Sequence, residues 1–145
     1  MSYGIEPSVL TSEETKDEYF NFAEYIEKIE SIGIGLFFSQ SFLLRDKISN
    51  QKSVKFLCSF LRNFKFDIIH THTAHCSKLC MIALKELGLK IPILQTVHGW
   101  GTLKNKEQES SDLISLNEIN KVIFISQSLR NQLIPKGFKN NNFEI

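Results

Sequence analysis

The ~18 consecutive apolar residues that a transmembrane helix needs occur nowhere in the 145-residue chain, so no membrane-spanning helix is expected. The first 30 residues carry eight carboxylates against two lysines. That is not the basic start and apolar stretch of a secretory signal, and none is expected. Cysteine is scarce: Cys58, Cys76 and Cys80 are an odd number without a CxxC pair. A disulfide framework is therefore not expected, and a reduced, intracellular setting is. The formal net charge of +1 supplies no general attraction for nucleic acid. Internal repeats, low-complexity tracts and linkers are lacking too.

What is present is an ordinary globular composition, 42% hydrophobic and 23% charged, far from the disordered class. The length suits one domain, which at this size buries about 68–70% of its unfolded surface. Charge is unevenly spread. Against the acidic start, residues 42–66 hold Arg45, Lys47, Lys52, Lys55, Arg62 and Lys65 with Asp46 the single acid.

Strand and helix patterns alternate along the chain. Pro7–Thr11 reads as a short strand. Tyr19, Phe22, Ala23, Ile26 and Ile29 fall at helical spacing within Thr15–Ser31. Gly33–Phe38 reads as the next strand. A helix capped by Ser49 or Ser53 is expected to run to Phe64, burying Val54, Leu57, Leu61 and Phe64. Phe66–His70 is the clearest strand, followed by a helix through Leu87 that stops at Gly88. Ile91–Val97 is a strand with Pro92 at its entry, then come a loop over Gly99–Lys106 and a helix over Glu107–Asn120. Lys121–Ile125 is a strand, Ser126 caps a helix ending near Pro135–Gly137, and Phe143–Ile145 begins another strand. Repeated β-α units of this kind predict a parallel sheet covered by helices on both faces.

Ligands of such sheets bind beyond the carboxyl ends of the strands. All four histidines follow strands: His70, His72 and His75 after one, His98 after the next. Three readings compete for the HxH pair. It could ligate a metal, with His98 as a third ligand, as in metal-dependent hydrolases, which need a barrel of about 250 residues. It could be structural, with imidazoles satisfied by backbone groups. It could line a ligand site. In Thr96-Val-His98-Gly99-Trp100 the glycine lets backbone approach a ligand and the indole offers a sugar-stacking surface; a plain turn is the alternative. Ser126 can cap its helix or donate to a ligand phosphate. Phe56, Phe60 and Phe64 at i, i+4 and i+8, beside Lys52, Lys55, Arg62 and Lys65, also suit a helix lying on an anionic membrane, although Leu57 and Phe64 are wanted for the core.

In this order and at this spacing, "FDIIHTHT", "PILQTVHG" and "KVIFISQSLRNQLIPKGF" resemble the family 4 glycosyltransferases of the GT-B fold. The resemblance covers roughly the whole chain, most strongly residues 66–138. It implies a Rossmann-like open parallel sheet with helices on both faces, the N-terminal, acceptor-side domain of such an enzyme. The first strand and glycine-rich turn of the family have no counterpart, because "YGIEPSVLTSE" matches the second strand. The C-terminal domain that binds the nucleotide sugar, with its E-x7-E segment, is not recognisable either. Residues 1–145 are thus expected to be a partial domain. Without their shared central strand, the strands matching Pro7–Thr11 and Phe66–His70 are expected to be left with open edges.

By resemblance, His98 matches the family's inter-domain histidine near the reacting sugar, and His70, His72 and Ser126 match positions lining the cleft. Gly99 and Trp100 join the candidates for substrate binding. The implied function is transfer of a sugar from a nucleotide sugar to a glycan or lipid-linked acceptor, with no metal and no cofactor beyond that donor. A chain without the donor half is expected to be inactive alone and to need a separately encoded C-terminal domain. The setting implied is the cytoplasm, or the inner face of the membrane, with no nucleic-acid partner. A non-catalytic remnant or interaction domain of the same fold is the rival, and the HxH hydrolase comes third.

Overall fold

A computed structural model describes residues 4–12, 21–39, 42, 44–101 and 104–145. The chain divides into two compact units, Met1–Ser53 and Val54–Ile145.

The first unit holds β1 (Ser8–Ser12), α1 (Phe22–Ser31) and β2 (Gly35–Ser39). The two strands pair in parallel, Ser8 opposite Gly35 through Ser12 opposite Ser39. The helical spacing of Phe22, Ala23, Ile26 and Ile29 is realised in α1, but none of its residues is fully buried. The part of that expected helix before Asn21, Tyr19 included, lies outside the described residues. Gly33, at φ 73°, turns the chain from α1 into β2, a conformation that glycine adopts without strain.

Helix α2 (Lys47–Asn63) crosses the boundary between the units. It starts earlier than the serines suggest. Asp46 accepts the backbone N–H groups of Ile48 and Ser49, both at 3.0 Å, so Asp46 is the cap. Ser49 and Ser53 lie buried inside the helix instead. Val54, Leu57 and Leu61 form the expected buried stripe, whereas Phe64 is 41% exposed. One turn further along, that stripe has left the core.

The second unit continues with β3 (Ile69–Thr71), α3 (Ala74–Leu87), β4 (Ile93–Val97), α4 (Lys106–Glu118), β5 (Lys121–Phe124), α5 (Gln127–Leu133) and β6 (Phe143–Glu144). The four strands form a parallel sheet in the order β3-β4-β5-β6, flanked by helices. The β3 strand is shorter than its apolar run and begins at Ile69, whose N–H donates to the Pro92 carbonyl at 3.0 Å. Pro92 has no N–H to return, so the ladder starts there and both strands begin later than their sequences suggest. Local signals set the helices. Thr73 caps α3 by accepting from Cys76 N, and Gly88 closes it at φ 64°. Asn105 and Gln108 form a reciprocal capping box on α4.

The core of this unit lies between the sheet and its helices. Leu79 on α3, Leu116 on α4, Val122 and Phe124 on β5, and Leu133 on α5 are all at most 1% exposed. Phe138 meets Phe124 edge to face at 5.0 Å. Burying an aliphatic or Phe side chain of this kind stabilises by about 1.5–3 kcal/mol.

Among the described residues β1 and β2 form one sheet, and β3, β4, β5 and β6 form the other.

Candidate functional site

Strands β3 and β4 run parallel and in register, His70 opposite Leu94 and Thr71 opposite Gln95. Side chains alternate along a strand, so Thr71 turns into the core while His70 and His72 face outward. Thr71, Ser77 and Gln95 are buried together beneath the strand ends. Thr71 Oγ1 lies 2.6 Å from Ser77 Oγ, which donates to Gln95 Oε1 at 2.7 Å. Thr71 Oγ1 also lies 3.2 Å from the Leu94 carbonyl oxygen. This polar knot ties β3, β4 and the start of α3 into one rigid corner. Its members give no signal in the sequence beyond being polar within apolar patterns.

On that corner stand three of the four histidines. His70 Nε2 is 2.8 Å from Thr96 Oγ1. His72 Nδ1 is 2.9 Å from His98 Nε2. The rings form a row, 4.6 Å from His70 to His72 and 5.2 Å from His72 to His98. All three side chains are exposed. His75 turns the other way and is buried in α3. Partial burial pushes the His70 imidazole below its ordinary value, and His98 adds to this. Burial also lowers His72, followed by the effect of His70 and then His98. His70 and His72 are thereby biased toward the neutral form, in which an imidazole can both donate and accept a hydrogen bond.

The remaining candidates sit beside the row or are occupied otherwise. Gly99 is exposed, and a Cβ there would meet nothing within 4 Å, so space does not require the glycine. Trp100 is pinned. Its Nε1–H donates to Glu109 Oε1 at 2.9 Å, and Lys104 Nζ lies 3.5 Å from the ring centroid. One face of the indole is thus covered by an ammonium group. Lys104 in turn pairs with the buried Asp112 at 2.8 Å, and Glu109 pairs with Lys136 at 2.7 Å. The loop after β4 is therefore stitched to α4. Ser126 caps α5, its Oγ accepting from Leu129 N at 3.2 Å; its own O–H remains available as a donor.

Among the described residues, no group of three or more His, Cys, Asp or Glu is placed to hold a metal ion. A groove of about 560 Å³ between α3 and α4, floored by Met81, Ile82 and Ile114, shares no residue with the row.

A parallel α/β unit with polar side chains gathered beyond the ends of two adjacent strands belongs to the ligand-binding class of such sheets. Its family follows from comparison: the model of Glycosyltransferase Family 4 matches residues 2–145. The chain belongs to that family. The comparison with curated proteins returned no match. Among the described residues no helix is long and apolar enough to cross a membrane.

Proposed function

We propose that this chain supplies the acceptor side of a sugar transfer from a nucleotide sugar to a glycan or lipid-linked acceptor. Membership of the family supports glycosyl transfer in general. The observation that carries the finer reading is the row His70–His72–His98 at the ends of two adjacent strands. Neutral imidazoles suit a ligand made of hydroxyl groups, since each offers one donor and one acceptor. In this reading His98 lies nearest the reacting sugar, and His70, His72, Gly99, Trp100 and Ser126 line the acceptor. The donor diphosphate is held by a donor-binding domain of the kind found in this family, and no metal or further cofactor takes part.

We assign the reaction to the cytoplasm, or to the inner face of a membrane. Support comes from a stack of phenylalanines on the C-terminal half of α2 and the lead into β3. Phe56, Phe60, Phe64 and Phe66 are linked at centroid distances of 4.9–6.5 Å, with exposed Lys55, Arg62 and Lys65 around them. Aromatic rings between cations suit an anionic bilayer surface.

The test is kinetic. The chain alone is expected to transfer no sugar, because both reactants must be held together for acceleration. Joined to a family 4 donor-binding domain it is expected to transfer, and His98→Ala to lower kcat/KM on the order of 100-fold. Turnover by the chain alone, or unchanged kinetics in His98→Ala, contradicts this reading.

A further inference from the structure

The row of imidazoles is a directional chain of hydrogen bonds, and its direction can be deduced. His72 and His98 share one hydrogen between Nδ1 and Nε2 at 2.9 Å, so one ring donates and the other accepts. A neutral imidazole has one of each, and the bond made by one nitrogen sets the state of the other. Free histidine side chains favour the proton on Nε2. With that tautomer throughout, His70 Nε2–H donates to Thr96 Oγ1 at 2.8 Å and His98 Nε2–H donates to His72 Nδ1. Both contacts are satisfied without forcing any ring into its less favoured form. The reverse direction would require His72 and His98 each to carry the proton on Nδ1.

We propose that His72 is a positioning residue for His98: it accepts the Nε2–H of His98 and leaves the bare Nδ1 of His98 to accept a hydrogen bond from a neutral sugar hydroxyl. His72 is itself held in place. It follows Thr71, whose side chain is locked to Ser77 and Leu94, and its ring lies between those of His70 and His98. An acceptor nitrogen on His98 selects a hydroxyl group over a carboxylate or phosphate, which offer only acceptors and would face a lone pair. The ionisable groups acting on His72 are His70 and His98, and the group acting on His70 is His98. The ligand in this proposal rests on the glycosyl-transfer reading; the geometry does not.

The experiment uses the 145-residue chain labelled with ¹⁵N. Long-range ¹H–¹⁵N spectra of the imidazoles are recorded about 1.5 pH units above the ordinary imidazole value of ~6.5. In the unsubstituted protein His98 is expected as one tautomer, with Nε2 protonated and Nδ1 bare. His72→Phe keeps a ring but no acceptor, and should turn the His98 signals into those of a tautomer mixture. His72→Asn puts an amide oxygen near the position of Nδ1 and should restore the single tautomer. A His98 that carries its proton on Nδ1, or that gives the same spectrum in the unsubstituted and His72→Phe proteins, overturns the proposal. So does a His72→Asn protein that behaves like His72→Phe. If the tautomers hold but no sugar transfer is ever found, the positioning stands and the glycosyl-transfer reading falls.

Discussion

The indole N–H of Trp100 donates to the carboxylate of Glu109 at 2.9 Å, so the loop that follows β4 is anchored on α4 instead of standing free over the strand ends. Lys104 completes the anchor by lying over the same ring and reaching the buried carboxylate of Asp112. The residue chosen in the sequence for sugar stacking is therefore also a structural pin.

That anchor gives a stability prediction. Lys104→Met keeps the stem of the side chain but removes the ammonium from Asp112, which is 1% exposed. Breaking a buried pair from one side is strongly destabilising, and the remaining interactions of Asp112 soften it to about 2–3 kcal/mol. At this chain length the fall in Tm is about 5–10 °C. Lys136→Met, which loses a half-exposed pair with Glu109, should shift Tm far less. Equal effects of the two substitutions would mean that the buried pair is not the anchor.

The histidine row predicts how stability depends on acid. His70 and His72 are both lowered from 6.5, so between the folded and unfolded values the unfolded chain binds more protons. Their contribution is complete above pH 6.5 and is lost as pH falls through the lowered folded values. Urea midpoints measured from about pH 7.5 down to about pH 5.5 should fall, and fall less in the double variant His70→Gln, His72→Gln. A midpoint that rises on acidification contradicts the assignment.

Local features of this fold were legible in the sequence, and non-local ones were not. Ser126 as a cap and Gly88 as a helix stop depend on a few consecutive residues, and both appear as expected. The Asn105–Gln108 box carried an equally local signature and was overlooked. Asp46 was passed over for two serines because the apolar stripe begins later than the helix does. The lengths of β3 and β4 depend on a neighbour's missing N–H at Pro92, and the exposure of Phe64 depends on where the core ends. The strand ends as the place to look followed from the parallel fold. The pairing of His72 with His98, 26 residues apart, and the pin from Trp100 to Glu109 exist only once β3, β4 and α4 are side by side.

The phenylalanine stack makes a separate prediction. Vesicles containing anionic lipid should co-sediment the chain, and neutral vesicles should not. Replacing Lys55, Arg62 and Lys65 by Gln should abolish the difference, since each cation contributes about 1 kcal/mol near such a surface. Equal binding to both kinds of vesicle would remove the membrane from the account.

The central claim, that the strand ends hold a sugar acceptor, is tested most directly by mapping amide shifts of the ¹⁵N-labelled chain during titration with a panel of neutral oligosaccharides and a polyprenyl-phosphate-linked sugar in detergent. At least one of these is expected to move the amides of His70–His72, Thr96–Trp100 and Ser126 together, and His98→Ala to abolish the response. Shifts confined to other parts of the chain, or a response unchanged in His98→Ala, would contradict the account.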